Sequence, residues 1–267
     1  MTTTRAIVTG CSTGIGRATA LELTARGYEV VATARRPASI ADLAVARTVE
    51  LDVDSDESVA AAREAVGPVD VMVNNAGFGI EGPVEEVPLA DARRAFETNF
   101  FGAARMIQAF APAMREQGSG TIVNVTSVAG VVAGPFSGFY AATKFALEAL
   151  SEALHLEIGH FGVQVLVVEP GAIETEFGAN LVEHRPRSGP YGPLAEQWET
   201  AFAKLGGGEP APGPELVATA IADAIGREGQ GLRVPVGADA DLVTSARQAS
   251  SYDDFEATMR QVLQLDW

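Results

Sequence analysis

The feature that most constrains this chain is an alternation. Short β-branched runs recur along it, separated by longer stretches with helical spacing of apolar residues. Arg5–Thr9, Glu29–Ala34, Thr48–Leu51, Val69–Asn74, Thr121–Thr126, Gln164–Glu169 and Leu232–Val236 read as strands. Ile15–Arg26, Asp56–Val66, Leu89–Arg115 and Phe139–Ile158 read as helices, and Pro88 suits the start of the third. Strands and helices in strict alternation, joined by right-handed crossovers, build a parallel sheet covered on both faces. The expectation is an α/β chain with a doubly wound, seven-stranded parallel sheet, forming a single domain over 1–267.

One stretch breaks the rhythm. Residues 178–214 are rich in Gly and Pro, with Trp198 and Phe202 in a short helical pattern. A segment this long inside a compact domain is usually functional, so a lid over a binding site is expected there.

Composition narrows the function classes. A net charge of −16 argues against a nucleic-acid partner, which needs a clustered basic surface. The sequence has neither a leader pattern nor an apolar run long enough to span a bilayer. Cys11 is the single cysteine and cannot form an internal disulfide, so a cytoplasmic location is expected. His155, His160 and His184 lack metal-ligand spacing, so no metal is expected. Basic residues are nearly all arginine; Lys144 and Lys204 are the only lysines.

The first strand ends in Thr9-Gly10-Cys11-Ser12-Thr13-Gly14-Ile15-Gly16 and a helix follows at once. Glycines at such a turn let the backbone approach a phosphate, whose charge the helix N-terminus favours. Further on, Tyr140-Ala141-Ala142-Thr143-Lys144 opens a helix and places a phenol and an ammonium on one face. A free phenol is a poor base at neutral pH, and a nearby cation favours its ionised form.

The Gly-x-x-x-Gly-x-Gly spacing with the Tyr-x-x-x-Lys pair resembles the short-chain dehydrogenase/reductase family, and the resemblance extends over nearly the whole chain. It implies a Rossmann fold binding a dinucleotide through Gly10, Ser12, Thr13, Gly14, Ile15 and Gly16. It assigns Asp52 and Val53 to the adenine, and Asn75, Ala76 and Gly77 to the cofactor wall. Pro170, Gly171, Ile173 and Thr175 match the segment that holds the nicotinamide carboxamide. Aligned with the family, Ala34 stands where an acidic residue would mark NAD, and Arg35 follows it, with Arg36 beside it. A guanidinium there pairs a 2′-phosphate, so NADP(H) is the expected cofactor, although Thr13 replaces the family's other basic marker.

The resemblance also assigns chemistry. Tyr140 is the acid/base, and Lys144 lowers its pKa and holds the nicotinamide ribose. Ser127 stands thirteen residues before Tyr140, the family's usual interval, and would polarise the substrate oxygen. Asn99 matches the position that holds a water linking the lysine to solvent. Phe78, Phe136 and Phe177 suggest an apolar substrate wall. The run from Phe139 to Glu148 looks like the hydroxysteroid and retinol dehydrogenase branch. The expected activity is NADP(H)-dependent hydride transfer involving a medium or bulky hydrophobic ketone or aldehyde, in a homodimer or homotetramer. The alternative is a catalytically silent NADPH-sensing protein of the same fold.

Overall fold

A computed structural model describes residues 4–186, 188–205 and 210–264. Positions 187 and 206–209 of the expected lid, and the side chains of Phe202 and Lys204, lie outside the described residues.

The strands, in chain order, are β1 (Arg5–Val8), β2 (Glu29–Ala34), β3 (Arg47–Glu50), β4 (Val71–Asn74), β5 (Ile80–Glu81), β6 (Gly120–Val125), β7 (Val163–Pro170), β8 (Val182–Glu183) and β9 (Arg233–Val236). The helices are α1 (Gly14–Ala25), α2 (Asp56–Val66), α3 (Leu89–Phe96), α4 (Ala103–Gln117), α5 (Gly138–Ile158), α6 (Gly192–Leu205), α7 (Glu215–Ala224), α8 (Ala238–Ala249) and α9 (Tyr252–Leu263). The main sheet runs β3-β2-β1-β4-β6-β7-β9, with every neighbouring pair parallel. This is the doubly wound α/β fold, and its order reverses between β1 and β4.

Parallel strands buried on both faces need apolar residues at every position, not alternate ones. The strands supply them. Ala6, Val8, Val30, Ala32, Val71, Val73, Leu166 and Val168 turn to one face, packed against Ala20 and Leu23 of α1 and Val217 and Ile221 of α7. Ile7, Val31, Met72, Ile122 and Val165 turn to the other, under Val59 of α2, Phe110 and Met114 of α4 and Ile158. α2 starts at Ser55, whose hydroxyl accepts the Ser58 N–H at 3.2 Å, and stops at Gly67 with φ +77°.

The structure departs from the sequence reading in three places. The helix expected over Leu89–Arg115 is interrupted by a π turn at Glu97–Gly102. The 178–214 stretch is more regular than its Gly and Pro content suggested: β8 pairs in parallel with β5, and α6 follows. Periodicity also passed over α7, α8 and α9. Among the described residues no helix is long and apolar enough to cross a membrane.

Candidate active site

The sequence of α5 is dominated by Ala, Leu and Glu, strong helix formers, and its first turns carry Tyr140 and Lys144. The chain enters α5 through Phe136 at φ +64°, held by its carbonyl accepting the Gly82 N–H at 2.8 Å. Lys144 is 5% exposed; its Nζ lies 5.7 Å from the Tyr140 ring centre and donates to the Val125 carbonyl at 3.0 Å. Both side chains face the carboxyl end of β6, where Ser127 follows the strand.

Of the two adjacent hydroxyls, Thr126 is 3% exposed and donates inward to the Val168 carbonyl at 3.0 Å. Ser127 is the one at the cleft: it accepts the Ala129 N–H at 3.1 Å and reaches the Pro170 carbonyl at 3.4 Å. Burial pushes the Tyr140 phenol up to about 12, and the Ser127 hydroxyl partly offsets this. Burial pulls Lys144 down to about 8 against the charge of Glu148. The protein alone therefore keeps the phenol protonated at neutral pH. The lowering of the Tyr140 pKa by Lys144 that the family resemblance implies requires positive charge beyond what these side chains supply.

The glycine turn lies across the switch point from Asn75. Gly10 has φ +72°, and a Cβ on Gly16 would stand 2.4 Å from both Asn75 Nδ2 and the Gly10 carbonyl oxygen. Asn75 Nδ2 donates to the Thr9 carbonyl at 2.9 Å, and Thr9 Oγ1 accepts from the Asn75 and Ala76 N–H groups at 2.9 and 3.0 Å. Below it, Asn74 Nδ2 donates to Asn124 Oδ1 and Asn124 Nδ2 to Ser151 Oγ, both at 2.8 Å, tying β4 to β6 and α5.

Residues 4–186 match the profile of the short chain dehydrogenase family. The chain belongs to that family. The "Uncharacterized oxidoreductase YbbO" of Escherichia coli K12 is 42% identical over 182 residues, which cover 66% of this chain and 68% of that protein. Retinol dehydrogenase 8 of Bos taurus is 41% identical over 191 residues, covering 66% of this chain and 61% of its own length. Among solved structures, a short-chain dehydrogenase from Streptomyces avermitilis superposes with a TM-score of 0.82 at 32% identity, covering 100% of both chains. One from Burkholderia cenocepacia in complex with NADP gives 0.79 at 28%, covering 96% of this chain and 97% of that one. One from Burkholderia phymatum in complex with NAD gives 0.77 at 25%, covering 96% and 95%. The chain is thus an oxidoreductase of the short-chain dehydrogenase family, whose neighbours hold NADP in some cases and NAD in others.

The residues present fit a dinucleotide. Thr13 starts α1 without a side-chain cap, and no acidic residue stands in the first turn, so the helix N-terminus keeps donors and positive potential for a phosphate. Ile15 packs on the core below it. Thr175 comes over from the loop after β7: a Cβ on Gly14 would lie 3.3 Å from it. That loop is fixed from behind, since the Gly171 N–H donates to Val236 O at 3.0 Å and the Ala172 N–H to Asp239 Oδ2 at 2.7 Å. At the end of β2, Arg35 and Arg36 are both exposed, and neither forms an ion pair among the described residues. Asp52 is half-buried and accepts the Asp54 N–H at 3.2 Å. The Val53 side chain instead belongs to the core, packed against Gly102. Cys11 points inward, 3.2 Å from the Val8 carbonyl oxygen, and burial pushes its thiol up to about 12, which leaves it inert.

Asn99 sits in the π turn, 2% exposed. Its Oδ1 accepts the Phe78 N–H at 3.0 Å, and its Nδ2 donates to the Phe78 carbonyl at 3.0 Å and to Thr143 Oγ1 at 3.1 Å. Both amide donors are committed, so the side chain clamps the loop after β4 to α5. Of the three phenylalanines, Phe177 meets the Tyr140 ring edge-on at 5.8 Å and Phe78 packs in the same apolar cluster. Phe136 is 6% exposed and packs against Tyr191, 6.5 Å away, in the interior side of its loop.

Sequence reasoning missed Thr143, Asp239, Glu148 and Glu169. Glu148 could have been found, because it continues the four-residue spacing of Tyr140 and Lys144. Asp239 could not, because only the tertiary fold brings α8 to Gly171. Among the described residues no group of three His, Cys, Asp or Glu side chains is placed to hold a metal ion.

Proposed function

We propose that this chain is an NADP(H)-dependent oxidoreductase that reduces a medium or bulky hydrophobic ketone or aldehyde, with Tyr140 as the proton donor. The observation that carries this reading is the meeting of Tyr140, Ser127 and Lys144 at the end of β6, beside a glycine turn suited to pyrophosphate. NADPH, when bound, supplies the hydride. Tyr140, protonated at neutral pH, gives its proton to the substrate oxygen as negative charge develops there. Ser127 donates to that oxygen and lowers the barrier as an oxyanion donor. Lys144, fixed by the Val125 carbonyl, places a positive charge near the phenol and stabilises the phenolate left as the proton goes to the substrate. Asn99 holds the Phe78 loop against α5, which keeps Lys144 and Tyr140 in register. Reverse alcohol oxidation uses the same groups.

Arg35 and Arg36 support NADP(H), since exposed guanidinium groups that form no ion pair among the described residues are suited to a 2′-phosphate. Phe177 and Phe78 around the Tyr140 ring favour an apolar substrate, as does the likeness to retinol dehydrogenase 8. The 178–214 segment acts as the lid: β8 anchors its start to β5, and Trp198 of α6 crosses Gly134, where a Cβ would stand 2.6 Å from the indole. One domain carries the whole activity. Exposed Phe145 and Leu156 on α5 and Phe101 in the turn before α4 favour a homodimer or homotetramer through this part of the surface. The test is loss of NADPH absorbance with a panel of hydrophobic ketones and aldehydes, run in parallel with NADH. Turnover of an apolar carbonyl with NADPH preferred is expected; tight NADPH binding without turnover of any carbonyl would make the chain a cofactor sensor instead.

A further inference from the structure

Below the cleft, α5 carries a third ionisable side chain in line with the first two. Tyr140, Lys144 and Glu148 stand four residues apart on one helical face. Glu148 is 4% exposed, and neither of its carboxyl oxygens accepts a well-aligned hydrogen bond among the described residues. Gly130 lets it in: a Cβ there would lie 3.0 Å from Glu148 Cγ. Glu169 enters from β7 at 1% exposure, and its Oε1 also lacks a well-aligned donor. A single guanidinium serves both. Arg233 of β9 places Nη2 3.3 Å from Glu148 Oε2 and Nε 3.1 Å from Glu169 Oε1, and it also pairs with the exposed Glu152.

Two buried carboxyl groups sharing one cation resist ionising together, and the pair titrates as a unit. Apolar side chains at both positions would cost less, because two buried carboxyl groups lose hydration and share one guanidinium in return. The reduction described above does not use either acid. We propose that Glu148 is a positioning residue for the Tyr140 chemistry: its buried carboxylate, one helical turn beyond Lys144, holds the positive charge on that ammonium, while Glu169 takes the proton that the crowded pair retains. This rests on the oxidoreductase reading for its consequence, since it acts through Lys144.

The surroundings support the assignment. The groups facing Glu148 are Lys144 and Glu152 from its own helix, Glu169 from β7 and Arg233 from β9; Thr126, just after β6, brings its hydroxyl. Glu148 is the charge that opposes the burial pulling Lys144 down. Burial pushes Glu148 up, and burial together with the charge of Glu148 pushes Glu169 up to about 7.

Because the chain has only two lysines, protein grown on carbon-13-labelled lysine gives two side-chain signals, which a Lys204→Arg variant assigns. Their pH titration needs neither substrate nor cofactor. In Glu148→Gln the Lys144 midpoint is expected to fall by about one pH unit. In Glu169→Gln it is expected to stay within about 0.3 unit, because Glu148 already carries its charge near pH 8, while Lys204 stays fixed in both. A merely structural role would move Lys144 alike in both variants. A Lys144 midpoint unmoved in Glu148→Gln, or moved equally in both variants, overturns the proposal. If Glu148→Gln does not fold, Glu148→Met, which removes the charge and suits a buried site, replaces it: a fall supports the proposal and no fall overturns it. The expected fall in a protein without NADPH-dependent turnover leaves the coupling standing while the enzymatic reading falls; turnover without the fall does the reverse.

Discussion

Gly16 has no room for even one more carbon. A Cβ there would stand 2.4 Å from Asn75 Nδ2 and from the Gly10 carbonyl, so either the turn or the Asn75 loop has to move. Gly16→Ala is expected to cost about 1–3 kcal/mol, read from denaturant unfolding, and to weaken NADPH binding in fluorescence titration. Arg35 makes the complementary prediction at the other end of the cofactor. Arg35→Ala should weaken NADPH binding about tenfold or more and leave NADH binding within a factor of two. Ionisation gives a third. Lys144, lowered to about 8, loses its proton as pH rises through that value, whereas Tyr140 keeps its own to about 12. Reduction should therefore be full below the Lys144 midpoint and decline above it, as seen in the pH profile of kcat. At this scale the sequence was legible where residues repeat a spacing. Tyr140 with Lys144 and the glycine turn could be read directly. What could not be read was environment: the sequence identified a phenol with a lysine behind it, but burial, which raises that phenol, is a property of the folded cleft.

At the scale of elements, alternation located the main strands and the long helices to within a residue or two, because both faces of the sheet demand apolar runs. The π turn at 97–102 escaped, since its residues keep helical spacing and only the backbone pattern changes. Its position explains why Asn99 reaches out to Phe78 rather than bonding its own helix, as an interior asparagine otherwise would. The pairing of β5 with β8 escaped too, because two-residue strands carry no periodicity. That pairing ties the segment after β7 to the loop after β4, with His184 Nε2 2.9 Å from Asp91 Oδ2 as a further tether. Trp198 of α6 covers Gly134, between Ser127 and Tyr140 in the chain. Trp198→Ala is expected to lower kcat/KM for bulky apolar ketones about tenfold while leaving NADPH affinity unchanged; equal losses for small and bulky ketones would argue that α6 does not cover the substrate.

At the scale of the molecule, one sheet brings together residues from Gly10 to Asp239. The turns after β1, β4, β6 and β7 all lie at carboxyl ends of parallel strands, where the reversal of strand order opens a crevice. Tyr140, Lys144 and the glycine turn at Gly10–Gly16 meet there although they lie far apart in sequence. The central claim is that this crevice transfers a hydride with Tyr140 as proton donor, and Tyr140→Phe tests it most directly. NADPH-dependent reduction by wild type and variant would be measured beside NADPH affinity in the same preparations. The account predicts a loss of about a thousandfold or more in kcat with affinity nearly unchanged. Turnover in the variant within a few-fold of wild type would contradict it.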